Sequence, residues 1–193
     1  GLLNGSNGMI DAKGLLTRAQ MAAIVSRSFG AAKTASLDDY RDVLPSAWYY
    51  SDMGKAVKMG AFQGANGLLN PDAPITRAEF AAIAARFDDK NTNNTSNFSD
   101  IASHWAKDEI GVAANKGWIN GYPDDTFRPN QYITRAEAMT LVNRVLNRLP
   151  ENSSDLLDSM IKWPDNSDAS AWYYLAVPVS YTHLRAHETL RHL

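Results

Sequence analysis

The chain has 193 residues, 45% of them apolar and 21% charged, the composition of an ordinary folded domain. A net charge of −2 supplies no basic field for nucleic acid, and no run approaches the ~20 apolar residues of a spanning helix, so neither nucleic-acid binding nor membrane insertion is expected. The absence of cysteine removes disulfides, thiolate zinc sites and thiol catalysis.

Read in order, the chain repeats itself. Gly1-Leu2-Leu3-Asn4-Gly5 returns as Gly60-Ala61-Phe62-Gln63-Gly64 and as Gly117-Trp118-Ile119-Asn120-Gly121. A glycine after a helical run supplies a left-handed cap, and the second glycine marks a tight turn. The chain therefore opens inside a repeat, and no basic segment with an apolar core precedes it, so an exported parent would carry its signal elsewhere.

An irregular loop follows each of these segments and runs into a second motif. Leu16-Thr17-Arg18-Ala19-Gln20, Ile75-Thr76-Arg77-Ala78-Glu79 and Ile133-Thr134-Arg135-Ala136-Glu137 are three copies, with 59 residues from Arg18 to Arg77 and 58 from Arg77 to Arg135. Thr at the N-cap with Glu or Gln three residues on is a capping box, so a helix starts at each threonine. Leu16, Ile75 and Ile133 are placed to staple onto Met21, Phe80 and Ala138. Apolar stripes follow at helical spacing, at Met21, Ile24, Val25 and Phe29; Phe80, Ile83, Ala84 and Phe87; Met139, Val142, Val145 and Leu146. A second helix precedes Gly60 and Gly117, beginning near Trp48 and Trp105. Before each Trp stands an aromatic-x-Asp triplet, Tyr40-Arg41-Asp42 and Phe98-Ser99-Asp100, with a third copy at Trp163-Pro164-Asp165 ahead of Trp172.

Three capping-box helices and three Trp-led segments suffice for a three-fold arrangement if the last Trp segment takes the place of the missing first. After about Val177 the pattern breaks, since Pro178 stands where the aligned helices carry Gly54 and Gly111. Ser180-Tyr181-Thr182-His183-Leu184-Arg185-Ala186-His187-Glu188-Thr189 resembles translated sequencing adapter, so 178–193 is set aside as a non-native tail. The His183/His187 pair, spaced like metal ligands, falls inside it.

The order aromatic-x-Asp, Trp, helix, Gly, Gly-Tyr-Pro-Asp-Asp-x-Phe-x-Pro, Ile-Thr-Arg-Ala-Glu over 98–137 resembles the S-layer homology (SLH) domain family. The resemblance divides the chain into the C-terminal half of a repeat (1–30), complete repeats (40–90 and 98–149) and the start of a further unit (163–177). It implies an all-α, mainly helical fold, in which tandem SLH repeats form a pseudo-three-fold helical bundle with irregular loops. It further implies a non-catalytic module that anchors an extracellular bacterial protein to an anionic, pyruvylated secondary cell-wall polysaccharide, a peptidoglycan-linked glycan. No cofactor is implied. S-layer self-assembly would run through regions absent from this chain. The alternative is a helical-repeat scaffold for protein ligands.

The glycan-binding residues implied are the motif arginines Arg77, Arg135 and Arg18, with Asp42, Asp100, Trp48, Trp105, Gly121 and Tyr122. The arginines sit in the first turn of their helices, where the dipole disfavours cations but free N–H groups favour anions; a guanidinium also matches a carboxylate. A solvated Arg paired with a nearby acid is the alternative. Helical spacing favours a core place for Trp48 and Trp105, with sugar stacking as the other use. Asp42 and Asp100 either hold loops or bind sugar hydroxyls. Arg27, Arg86 and Arg144, late in their helices, are structural. Two sharper patterns fail on their residues. A calcium loop over 89–100 would have Asn94 at its glycine position and Asp100 for its bidentate Glu, and Glu79 and Glu137 are explained by capping rather than by glycoside hydrolysis.

Overall fold

The computed structural model describes residues 5–87, 97–150, 152–156 and 158–181. Among these the chain is helical, with isolated bridges and no sheet. Six α-helices follow in order: α1 (Arg18–Ser28), α2 (Tyr50–Lys58), α3 (Arg77–Arg86), α4 (Lys107–Asn115), α5 (Arg135–Val145) and α6 (Ala176–Tyr181). The chain divides into a larger unit, residues 15–133, and a second unit joining 1–14 with 134–193.

The capping boxes form as the sequence indicates. In α1, α3 and α5 the Thr hydroxyl accepts the N–H of Gln20, Glu79 or Glu137, and that side chain accepts the threonine's own N–H. Two otherwise orphaned donors are thereby satisfied at each helix start. Thr76→Ala should lower stability by ~1 kcal/mol, seen as a reduced urea midpoint. At the other ends, Gly60 (φ 76°) and Gly117 (φ 68°) take the left-handed conformation that closes α2 and α4. Ala61 and Trp118 then donate back to the Ala56 and Ala113 carbonyls, completing Schellman motifs.

In the larger unit the residues ahead of the capping threonines close a ring. Ile75 N–H donates to the Leu16 carbonyl (2.9 Å), Leu16 N–H to the Ile133 carbonyl (3.0 Å), and Ile133 N–H to the Ile75 carbonyl (3.1 Å). Each of the three side chains is fully buried. A three-membered ring of one-to-one bonds is what three copies of one segment make when each pairs with the next. Around it α2 packs on α1 and α4 on α3. Asp52 of α2 accepts from Ser26 and Arg27 of α1, and Arg86 of α3 caps the end of α2 through the Gly60 and Ala61 carbonyls. The late-helix arginines Arg27 and Arg86 thus serve helix packing.

In the second unit α6 packs on α5, with Asn143 donating to the Ala176 carbonyl and Ser180 to the Met139 carbonyl. Pro178 does not stop this helix. It moves the start, so α6 begins four residues after Trp172, whereas α2 and α4 begin two after Trp48 and Trp105. Proline then falls in the first turn, where its missing N–H breaks no helical bond. Val177, Val179 and Ser180 are buried, so the positions just past the break are packed. His183, His187 and most of 178–193 lie outside the described residues.

Candidate functional site

Each motif arginine begins its helix but points away from it, to a loop about 50 residues distant or more. In the larger unit Arg18 donates Nε to the Leu69 carbonyl (2.8 Å) and Nη1 to Glu79 (2.6 Å). Arg77 donates Nε to the Phe127 carbonyl (2.8 Å) and Nη2 to the Asn120 carbonyl (2.7 Å). In the second unit Arg135 donates Nε to the Ile10 carbonyl (2.9 Å). Arg77 and Arg135 are only 6% and 5% exposed. Burial pulls the Arg135 guanidinium below its usual range, and the carboxylates of Asp11 and Asp165 oppose the shift.

The helix starts are occupied as well. Arg18 and Ala19 N–H donate to the Ala73 and Pro71 carbonyls, Arg77 and Ala78 to Gln131 and Pro129, and Arg135 and Ala136 to Gly14 and Ala12. The third-position N–H goes to the capping threonine in each case. The expectation of open N–H groups awaiting an anion is therefore corrected, because neighbouring loops fill these positions with carbonyl oxygens.

The carboxylates of the aromatic-x-Asp triplets meet the same loops from the other side. Asp100 accepts the N–H groups of Phe127 (2.8 Å) and Arg128 (2.7 Å), and Asp42 those of Leu69 (3.0 Å) and Asn70 (2.7 Å). In the second unit Asp165 accepts from Ile10 (2.9 Å) and Asp11 (2.7 Å). Asn70, Arg128 and Asp11 all have positive φ, near 50–57°. Two successive N–H groups, the second on the left-handed residue itself, converge on one anion, and here the anion is the chain's own carboxylate. Of the two uses open to Asp42 and Asp100, loop-holding is the one their contacts display.

The aromatic residue of each triplet covers a glycine. A Cβ on Gly121 would lie 2.2 Å from the Phe98 ring, one on Gly64 2.2 Å from Tyr40, and one on Gly5 2.3 Å from Trp163. Gly121 is thereby explained as a close-approach site. Tyr122 lies beside it, half-buried, with the Arg77 guanidinium 4.9 Å and the Arg128 guanidinium 3.8 Å from its ring centre. The sequence reading passed over Ile10 and Leu69. With Phe127 they are pivots whose N–H meets an Asp and whose carbonyl meets an Arg, and their shared place two residues before Pro71, Pro129 and Ala12 was the available signal.

The tryptophans reverse their expectation. Trp48 and Trp105 are each 63% exposed, as is Trp172. The helices begin after them, so helical periodicity does not apply to these residues. Each sits in the turn before its helix with an aromatic or imidazole neighbour, Tyr49 or Tyr173 edge-on and His104 tilted. Trp118 is half-buried, with Lys116 Nζ 5.9 Å from its ring centre. Glu79 and Glu137 are engaged in capping, and Glu79 also holds Arg18. No cluster of metal-ligating side chains exists among the described residues, and most of the 89–100 calcium-like pattern lies outside them.

These repeated contacts define a tandem-repeat module. Residues 39–81 and 97–139 match the S-layer homology domain. The chain belongs to that family through these repeats. It is 36% identical over 158 residues to "Cell surface glycoprotein 1" of Acetivibrio thermocellus, covering 74% of this chain and 7% of that protein. It is 35% identical over 161 residues to the "Cellulosome-anchoring protein" of the same organism, covering 77% and 36%. A third relative there, "Exoglucanase XynX", is 31% identical over 141 residues, covering 69% and 13%. The chain thus spans well under half the length of the relatives it matches.

Proposed function

We propose that this chain is a non-catalytic anchoring module that holds an extracellular protein to the bacterial cell wall by binding an anionic, pyruvylated secondary cell-wall polysaccharide. The observation that carries the proposal is the equal exposure of Trp48, Trp105 and Trp172 at matching places on three Trp-led segments. The exposure recurs at three Trp-led segments, and a flat apolar indole face suits the C–H face of a sugar ring. The motif arginines Arg18, Arg77 and Arg135 supply positive charge beside the pivot loops, while Asp42, Asp100, Gly121 and Tyr122 set the shape of those loops. The exoglucanase among the relatives supports no catalytic reading, because the matched part is a small share of it and the two motif glutamates here serve the fold.

Retention on purified cell wall tests this. Trp48→Ala with Trp105→Ala should cut retention at least tenfold while leaving thermal stability nearly unchanged, since exposed substitutions typically shift it by about 0.5 kcal/mol or less. Chemical removal of pyruvyl groups from the wall should weaken the unaltered chain. Undiminished retention by the double variant would refute the stacking role, and undiminished retention on depyruvylated wall would refute the anion specificity. Binding to a polymer-free partner protein would favour the scaffold reading instead.

A further inference from the structure

Two guanidiniums in the larger unit share the Tyr122 ring, that of Arg77 at 4.9 Å from the ring centre and that of Arg128 at 3.8 Å. Their surroundings differ. Arg77 is 6% exposed and gives Nε and Nη2 to the Phe127 and Asn120 carbonyls. The Arg128 side chain is 47% exposed and donates Nη2 to Asp124 Oδ2 (3.1 Å), whose own side chain is 54% exposed. Asp124 Oδ1 in turn accepts the N–H and the hydroxyl of Thr126, and Arg128 Nε donates to that hydroxyl oxygen (3.3 Å). The Arg128 backbone N–H is fixed on Asp100, so the side chain departs from an anchored point.

The arrangement is a guanidinium held over an aromatic ring at the protein surface, with a carboxylate already on it. An ion pair this exposed contributes little to stability, so an external carboxylate exchanges with Asp124 at small cost. The ring and the Thr126 hydroxyl meanwhile hold the guanidinium in place, which spares a ligand the entropy of ordering a long side chain. The same loop reaches the exposed indole of its repeat, because Asn130 Oδ1 lies 3.3 Å from Nε2 of His104, the residue before Trp105. At the position of Arg128 the other pivot loops carry Asn70 and Asp11, each with positive φ like Arg128 itself, so a cation stands at this place in one loop of the three. Resting on the glycan reading above, we infer that Arg128 is the residue that recognises the acidic substituent of the wall polymer. Asp124 is the internal carboxylate which that substituent displaces, and Arg77 serves by holding the loop in shape. Preference for an acidic glycan then resides in the loop between α4 and α5 and is not shared equally among the repeats.

The probe is purified cell wall, native and depyruvylated, and the readout is the ratio of the two retentions. Arg128→Asn copies Asn70, suits the left-handed backbone and removes an exposed guanidinium, so the variant should melt close to the unaltered chain. Its ratio should fall roughly fivefold or more, because the lost contact is one that only an acidic polymer makes. Asp124→Asn keeps the Oδ1 that Thr126 uses and removes the competing charge, so it should raise the ratio about threefold. An unchanged ratio in Arg128→Asn would overturn the inference, as would equal losses on both walls, since Arg128 would then be shaping the loop and not reading the acid. A lower ratio in Asp124→Asn would overturn the exchange of carboxylates. An unaltered chain that holds both walls equally would refute the pyruvyl reading itself, and this inference with it, whereas pyruvyl-dependent retention that ignores Arg128→Asn would sink this inference alone.

Discussion

Arg77→Ala will lower the unfolding free energy by ~3–5 kcal/mol, because two charge-assisted bonds are lost and the carbonyls of Phe127 and Asn120 remain without their donor. The guanidinium is 6% exposed, so water cannot replace it without opening the loop. Contacts with the Phe127 and Tyr122 rings disappear as well, since both ring centres lie within 5 Å of the guanidinium carbon. Arg77→Lys should fall in between, since an ammonium keeps the charge but cannot reach both carbonyls with a planar fork. Urea denaturation checks both variants, and a loss under about 1 kcal/mol for Arg77→Ala would show that the loop needs no clamp. A wall-binding defect in this variant does not by itself identify a glycan contact. The loop and the site fall together, so retention must be measured where circular dichroism shows the variant folded.

The difference between what was readable in the sequence and what was not follows the range of the forces involved. Thr76 and Glu79 cap within one turn, and α2 ends at Gly60, whose N–H donates to Val57 while that of Ala61 donates to Ala56, so local pattern suffices for both. Arg77 reads locally as a cation at the unfavourable end of a dipole, a residue with no folding task. Its acceptors lie on a loop 43 to 50 residues away, and nothing in a five-residue motif announces them. The same distance hides the Gln131 and Pro129 carbonyls that fill the start of α3. Trp105 fails for another reason. It is spaced as a helical residue but precedes α4 by two positions, and a shift of that size decides whether an indole meets core or solvent. The register of Asp165 with Asp42 and Asp100 was legible, and the three carboxylates accept matching pairs of N–H groups.

Asp100→Ala will cost ~3 kcal/mol, since its carboxylate accepts two successive N–H groups and alanine leaves both without that acceptor. Asp100→Asn should lose about half as much, because its amide keeps one carbonyl oxygen. More telling is the coupling with Arg77. Asp100 holds the Phe127 N–H and Arg77 holds the Phe127 carbonyl, so either substitution releases the same residue and the second then has less left to disrupt. The double variant Asp100→Ala with Arg77→Ala should therefore be more stable than the sum of the single losses predicts, by ~1 kcal/mol or more. Asp42 makes the matched control. It holds Leu69, whose carbonyl belongs to Arg18, so Asp42→Ala with Arg77→Ala should be additive within ~0.5 kcal/mol, while Asp42→Ala with Arg18→Ala should couple. Coupling in the Asp42–Arg77 cycle equal to that in the Asp100–Arg77 cycle would mean that the repeats melt as one block. Additivity in the Asp100–Arg77 cycle would mean that Phe127 is not the point where the carboxylate of one segment and the arginine of the preceding motif act on each other.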